Sequence, residues 1–205
     1  MKLCSKSMLL LFVAGLSCAG QDFRKLAVEG GGGLTLPVGS GKSQLNMGWN
    51  LLLGAGYNFT PHIAGLLEFQ FDQMKYSQAG LVSLNQPGGY VRYFSFTLNP
   101  RYDFKPKGRY DGYVTGGYGL YGRRVAYTDP SQIQQVCDPY YGYCENTSAP
   151  VIAAFSSYRG GVNVGGGFTY SPGRSGMKLF TDVRYNRIMS HTYDEFITLT
   201  IGLKY

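Results

Sequence analysis

The chain has 205 residues, of which 15% are charged and 44% hydrophobic, with 30 glycines, 18 tyrosines and 12 phenylalanines. That length suits one domain, possibly two; soluble globular domains carry nearer a quarter charged residues, so few charges beside so many aromatics and glycines point to an all-β protein. The net charge is +7, but without Lys2 and Lys6 in an N-terminal leader 17 basic residues face 12 acidic ones, or +5, in no clustered run; this argues against a nucleic-acid partner.

Residues 1–20 read as a signal peptide. Lys2 and Lys6 form the positive start, Met8 to Leu16 the apolar stretch, and Ser17-Cys18-Ala19 a small-residue cleavage site. The apolar stretch is too short to span a bilayer as a helix. Cys18 leaves lipoprotein processing open as an alternative, although Gly15 stands where leucine usually precedes such a cysteine. Residues 21–205 then form the mature domain, which keeps only Cys137 and Cys144 of the four cysteines. An even pair in an exported chain reads as a disulfide.

From Lys25 the chain alternates with period two, the signature of strands. In the first, Leu26, Val28, Gly30, Gly32, Leu34 and Leu36 share one face, and Ala27, Glu29, Gly31 and Gly33 the other. A Gly-rich loop from Pro37 to Asn46 leads to a second strand with Trp49, Leu51, Leu53, Ala55, Tyr57 and Phe59 outward. Thr60-Pro61-His62 is a tight turn, and the third strand sets Ile63, Leu67, Phe69 and Phe71 against Ala64, Leu66, Glu68, Gln70 and Asp72. A polar loop runs to Gly89. Strand four carries Phe94, Phe96, Leu98, Pro100, Tyr102 and Phe104 outward and Tyr93, Arg101 and Asp103 inward; Pro100 costs it one ladder bond. After Lys105-Pro106-Lys107-Gly108 comes strand five, from Tyr110 to Tyr121. The longest irregular stretch, Thr128 to Ser156, holds both cysteines. Strand six follows to Tyr170, with Arg159, Asn163 and Thr169 inward. The turn at 171–176 leads to strand seven, with Leu179, Val183 and Tyr185 outward and Phe180, Asp182, Arg184 and Asn186 inward. A connection of moderate length ends in the strand Phe196–Tyr205, in which Ile197, Leu199, Ile201, Leu203 and Tyr205 alternate with Thr198, Thr200, Gly202 and Lys204.

Eight strands with long connections at one end and tight turns at the other match the build of a transmembrane β-barrel, whose short turns are periplasmic. Closure is required because lipid offers an open sheet edge no hydrogen-bonding partner. Tyr57, Phe59, Tyr102, Phe104, Tyr110, Phe168, Tyr170 and Tyr205 fall outward at the short-turn end, as an interfacial girdle would. The final strand, about ten residues long, fits the 9–11 needed to cross a bilayer at a tilt.

On leader, strand count, loop alternation and final strand, residues 22–205 resemble the small eight-stranded outer-membrane barrels of the OmpA/OmpX kind. The resemblance implies an antiparallel, monomeric barrel in the outer membrane of a Gram-negative bacterium, touching membrane lipids and exposing loops to a surface ligand. It carries fold and location further than activity. The expected role is structural or interactive. The interior is expected to be plugged by an ion network of Glu29, Glu68, Arg101, Asp182 and Arg184, since unpaired charges there would cost several kcal/mol each. Cys137 and Cys144 would staple a loop tip bearing Tyr140, Tyr141 and Tyr143, the preferred contact surface if one exists.

Other readings are weaker. Gly117-Tyr118-Gly119-Leu120-Tyr121-Gly122 fits a dinucleotide fingerprint in letters, but no strand-to-helix turn surrounds it. Gly39-Ser40-Gly41-Lys42-Ser43 lacks the leading glycine of a phosphate loop. His62 and His191 are too far apart to suggest a metal, and no cofactor is expected. Ser190 and His191, near Asp194 and Glu195, keep a lipid-modifying enzyme as the alternative. A soluble eight-stranded calyx is a third reading, opposed by the inward charges.

Overall fold

The computed structural model describes residues 25–133, 135–137, 144–146, 148–172, 176–189 and 194–205. Eight long strands, β1 (Leu26–Val38), β2 (Gly48–Asn58), β3 (Ile63–Lys75), β4 (Gly89–Asp103), β5 (Tyr110–Thr128), β8 (Val151–Tyr170), β9 (Lys178–Ile188) and β10 (Asp194–Lys204), close into one antiparallel barrel. A two-stranded pair, β6 (Gln135–Cys137) and β7 (Cys144–Asn146), stands apart in the long connection between β5 and β8. Closure is made by β1, which pairs with β2 on one side and β10 on the other, so no strand of the ring keeps a free edge along its full length.

Register fixes the shape. From Val28 the Cα partners run through Ala55, Leu67, Leu98, Tyr118, Val162, Arg187 and Glu195, and return to β1 at Val38. One circuit therefore climbs ten residues along β1, the stagger that tilts strands by about 40° and leaves an eight-stranded ring room for side chains only. Alternation sets the faces as the sequence predicts: Leu53, Leu67, Leu98, Tyr118 and Val164 are exposed outside, while Leu52, Glu68, Asn99, Arg184 and Thr198 are buried inside.

Several strands outrun their sequence-based limits. β3 continues to Lys75 because Met74 extends the inward face and is buried. β5 runs to Thr128 and β8 starts at Val151, where Val151-Ile152-Ala153-Ala154-Phe155 supplies a strand-prone run in a segment expected to be irregular. Arg159, expected inside, is exposed: β9 ends at Ile188 opposite Gly161, and β8 runs on past it paired with β5.

The loop after β3 is not wholly irregular either. It folds a short helix, α1 (Gln78–Leu84), whose Ser77 hydroxyl accepts the Gly80 N–H at 3.0 Å, and it ends at Asn85 in the left-handed conformation (φ 51°). Pro100 has the local effect its missing N–H requires: the β4–β5 register skips Asn99 and Pro100, and the Thr115 hydroxyl donates to the Pro100 carbonyl at 3.1 Å.

Candidate functional site

Two surfaces can carry function, the interior and the exterior, and each follows from strand parity. Beginning at the short-turn end, the interior opens with a cluster on Arg101 of β4. Its Nη1 donates to Glu29 of β1 at 2.8 Å and its Nε to Asp103 at 3.1 Å, while Lys204 of β10 reaches the other Asp103 oxygen at 3.2 Å. One step deeper, Arg184 of β9 bonds both Glu68 of β3 and Asp182 of its own strand. Tyr113 of β5 joins the two clusters. Its hydroxyl donates to Asp182 at 2.9 Å, and its ring lies 5.5 Å from the Arg101 guanidinium and 4.8 Å from the Lys204 ammonium.

All five interior residues singled out in the sequence are thus buried and ion-paired, in two clusters rather than one. The sequence reading missed Asp103, Lys204 and Tyr113 as members. Their inward parity was visible, but a contact such as Lys204 to Asp103 joins residues 101 apart and depends on the barrel's stagger.

Above the ion clusters sits a second polar layer. Asp72 accepts from the Thr35 hydroxyl at 2.6 Å and from the Gln70 amide at 2.9 Å, and Asn50 of β2 links Leu34 of the adjacent β1 with Leu199 and Thr200 of β10 beyond it. Towards the loop end lies a layer that the sequence-based ion network did not include: Met74, Tyr76, Val91, Tyr93, Tyr121, Val125, Ile188 and Phe196 form one apolar cluster, with Leu45 and Leu81 of the loops packed on it. Phe196, which strand alternation places inward, meets Tyr93 ring to ring at 5.1 Å. The signal was present, since Met74, Val91 and Val125 share the inward parity.

The exterior is apolar and bounded by rings of aromatics. At the short-turn end Tyr57 packs on Phe59 (5.4 Å), Tyr102 on Phe104 (5.5 Å) and Tyr110 on Tyr170 (5.1 Å). Towards the loops, Trp49, Phe71 and Phe94 form a row across β2, β3 and β4, each ring 5.0 Å from the next. Phe94 and Phe104 bracket about ten residues of strand, which at about 3.3 Å per residue and about 40° of tilt gives an apolar band about 25 Å tall. Outward glycines find a partial explanation: Gly65 and Gly122 lie beneath the rings of Phe59 and Tyr158.

The remaining sequence-derived residues separate. Cys137 and Cys144 are Cα partners in the β6–β7 pair. Tyr140, Tyr141 and Tyr143 lie outside the described residues, as do Ser190, His191 and the leader 1–20. His62 stacks on Tyr102 and contacts the Asp103 carbonyl through Nδ1 at 2.8 Å, a turn contact. Asp129, beyond the spanning strands, accepts from the hydroxyl and N–H of Ser131 and from Gln132, and these bonds hold its carboxyl below the usual carboxylate range. Among the described residues no cluster of His, Cys, Asp and Glu is arranged to hold a metal.

A closed eight-stranded ring with polar and charged side chains on its inner face and an apolar exterior of bilayer height defines a transmembrane β-barrel of the outer-membrane type. Solved structures agree on the fold. Neisserial surface protein A gives a TM-score of 0.56 at 16% identity, over 87% of this chain and 95% of that one. A major outer membrane protein from Thermus thermophilus gives 0.58 at 13%, over 88% and 98%. Ail, the attachment invasion locus protein of Yersinia pestis, solved with the heparin analogue sucrose octasulfate, gives 0.50 at 15%, over 89% and 100%. No family model and no curated protein matches the sequence.

Proposed function

We propose that this chain is an integral outer-membrane protein of a Gram-negative bacterium that works as a closed, monomeric barrel, through its lipid face and outer loops, and not as a pore or an enzyme. The observation that carries the reading is the stacking of two ion clusters, on Arg101 and Arg184, beneath the apolar layer of Tyr93, Tyr121 and Phe196. A passing ion would have to break hydrogen-bonded ion pairs and then cross that layer, and an eight-stranded ring has no width to spare. Planar-bilayer recordings test it directly: the folded protein is expected to give no large, steady conductance, and such a conductance would overturn the closed interior.

The outer connection between β5 and β8 supports a binding role. Opposed Cα partners in a short antiparallel pair have the separation a disulfide requires, so Cys137 and Cys144 are proposed to bond and to rigidify the tip that carries Tyr140, Tyr141 and Tyr143. Ail's complex with a heparin analogue supports a surface-ligand role for barrels of this fold. Thiol labelling of unreduced protein should find no free cysteine in the mature chain; two reactive thiols would remove the staple. The non-catalytic reading predicts no Ser190- or His191-dependent release of fatty acid from phospholipid.

A further inference from the structure

The outward face is almost free of charge, and where its charges fall is informative. Outward positions of the eight barrel strands carry Lys75, Arg92, Arg124, Arg187 and Glu195, all at the loop end. Arg187 is balanced by Glu195, its register partner, at 3.6 Å. The other three have no such balance. Arg92 of β4 stands directly opposite Arg124 of β5, and Lys75 of β3 pairs with Tyr90, two residues along β4 from Arg92. Like charges directly opposite one another in a sheet destabilise it, and no outward position of β3, β4, β5 or β8 carries an acid to offset them.

The cluster is also built rather than loose. Arg92 is partly buried, its Nε donates to Gln73 Oε1 at 2.8 Å, and its guanidinium lies 4.4 Å from the centre of the Tyr90 ring. That leaves the far end of a planar fork for a ligand, the geometry that suits a phosphate. Height is the second constraint. Gln73 and Arg92 lie two residues beyond Phe71 and Phe94, so the cationic row begins one strand step above the outer aromatic row. In a membrane that is where headgroups begin.

From this geometry we propose that Arg92 and Arg124, with Lys75 beside them, form a docking site for the phosphate groups of an anionic lipid in the outer leaflet. The site rests on the outer-membrane reading above and deepens it. Aromatic rings below hold the acyl region, the arginines meet the phosphates, and a lipid held there offsets the repulsion between Arg92 and Arg124. The exterior over β9 and β10, where Arg187 is already paired, has no equivalent.

The test uses the full chain folded in zwitterionic detergent, probed by native mass spectrometry with diphosphorylated lipid A, the same lipid without phosphates, and inorganic phosphate. Wild-type protein is expected to retain the diphosphorylated lipid about tenfold more than the double variant Arg92→Gln/Arg124→Gln, with Arg124→Gln alone in between. The dephosphorylated lipid should not distinguish the proteins, and excess inorganic phosphate should not displace the lipid. Equal retention by wild type and double variant would overturn the site, and displacement by inorganic phosphate would reassign it to a free anion. An unheated gel separates the two levels of the argument. A folded, fast-migrating band with equal retention sinks only the lipid site, whereas no folded band in wild type sinks the outer-membrane reading with it.

Discussion

Arg184 is the residue on which the interior depends most, because both Glu68 and Asp182 rely on it and neither is bonded to another cation among the described residues. Replacing it with leucine leaves two buried carboxylates without a cation, which is expected to cost about 3–5 kcal/mol of folding free energy. Arg101→Leu is expected to cost less, since Lys204 still holds Asp103 at 3.2 Å. Urea unfolding of the two variants in phospholipid vesicles measures the difference, and the reverse order would show that the clusters are not arranged as described. Backbone proximity decides a second residue-scale case. A methyl group on Gly33 would sit 1.8 Å from the Leu199 carbonyl oxygen, whereas on Gly112 its nearest neighbour would be a Phe104 ring atom at 3.5 Å. Gly33→Ala should therefore destabilise by about 1–3 kcal/mol while Gly112→Ala is close to neutral, in the same unfolding assay. Strand alternation announced that Gly33 faces inward. It could not announce that β10 passes so close, because that follows from the curvature of the closed sheet.

Single strands read well from sequence because period two reports burial directly. Leu98 and Leu67, outward register partners exposed at 64% and 59%, lie near the middle of the apolar band. Arginine at Leu98 should cost about 2–4 kcal/mol, and at Tyr102, in the lower aromatic ring, about 0–1 kcal/mol. Equal costs at the two depths would mean that this face does not meet acyl chains. Helix α1 shows where element reading fails. Its cap, Ser77, and its stop, Asn85, are written in the sequence, but at seven residues it offers too little periodicity to stand out from a polar loop. Ser77→Ala should raise amide exchange and proteolysis across 78–88 without moving the barrel's unfolding midpoint, since the cap bonds hold the loop alone.

At the scale of the whole molecule, strand count, direction and inside-outside assignment were legible, and the layering of the interior was not. The sequence shows which charges point inward; which of them meet is set by the ten-residue climb from Val28 to Val38. That stagger brings Glu29 to Arg101 and Glu68 to Arg184 across 72 and 116 residues. The outer apolar layer was hidden for a related reason, since Tyr93, Tyr121 and Phe196 become neighbours only when three strands converge at one end of the ring.

The pairing of β1 with β10 has a kinetic consequence. The first and last strands of the ring must meet, and Val28 and Tyr205 exchange two backbone bonds at 3.1 and 2.7 Å to seal them. Nearly the whole chain therefore forms one closure loop, whose entropy must be given up before the seam returns any bonding. Contacts of such long range make folding slow, with the closing step as its late barrier. A nascent chain of this kind has to be kept from aggregating as unpaired, aromatic-rich strands until its last segment arrives.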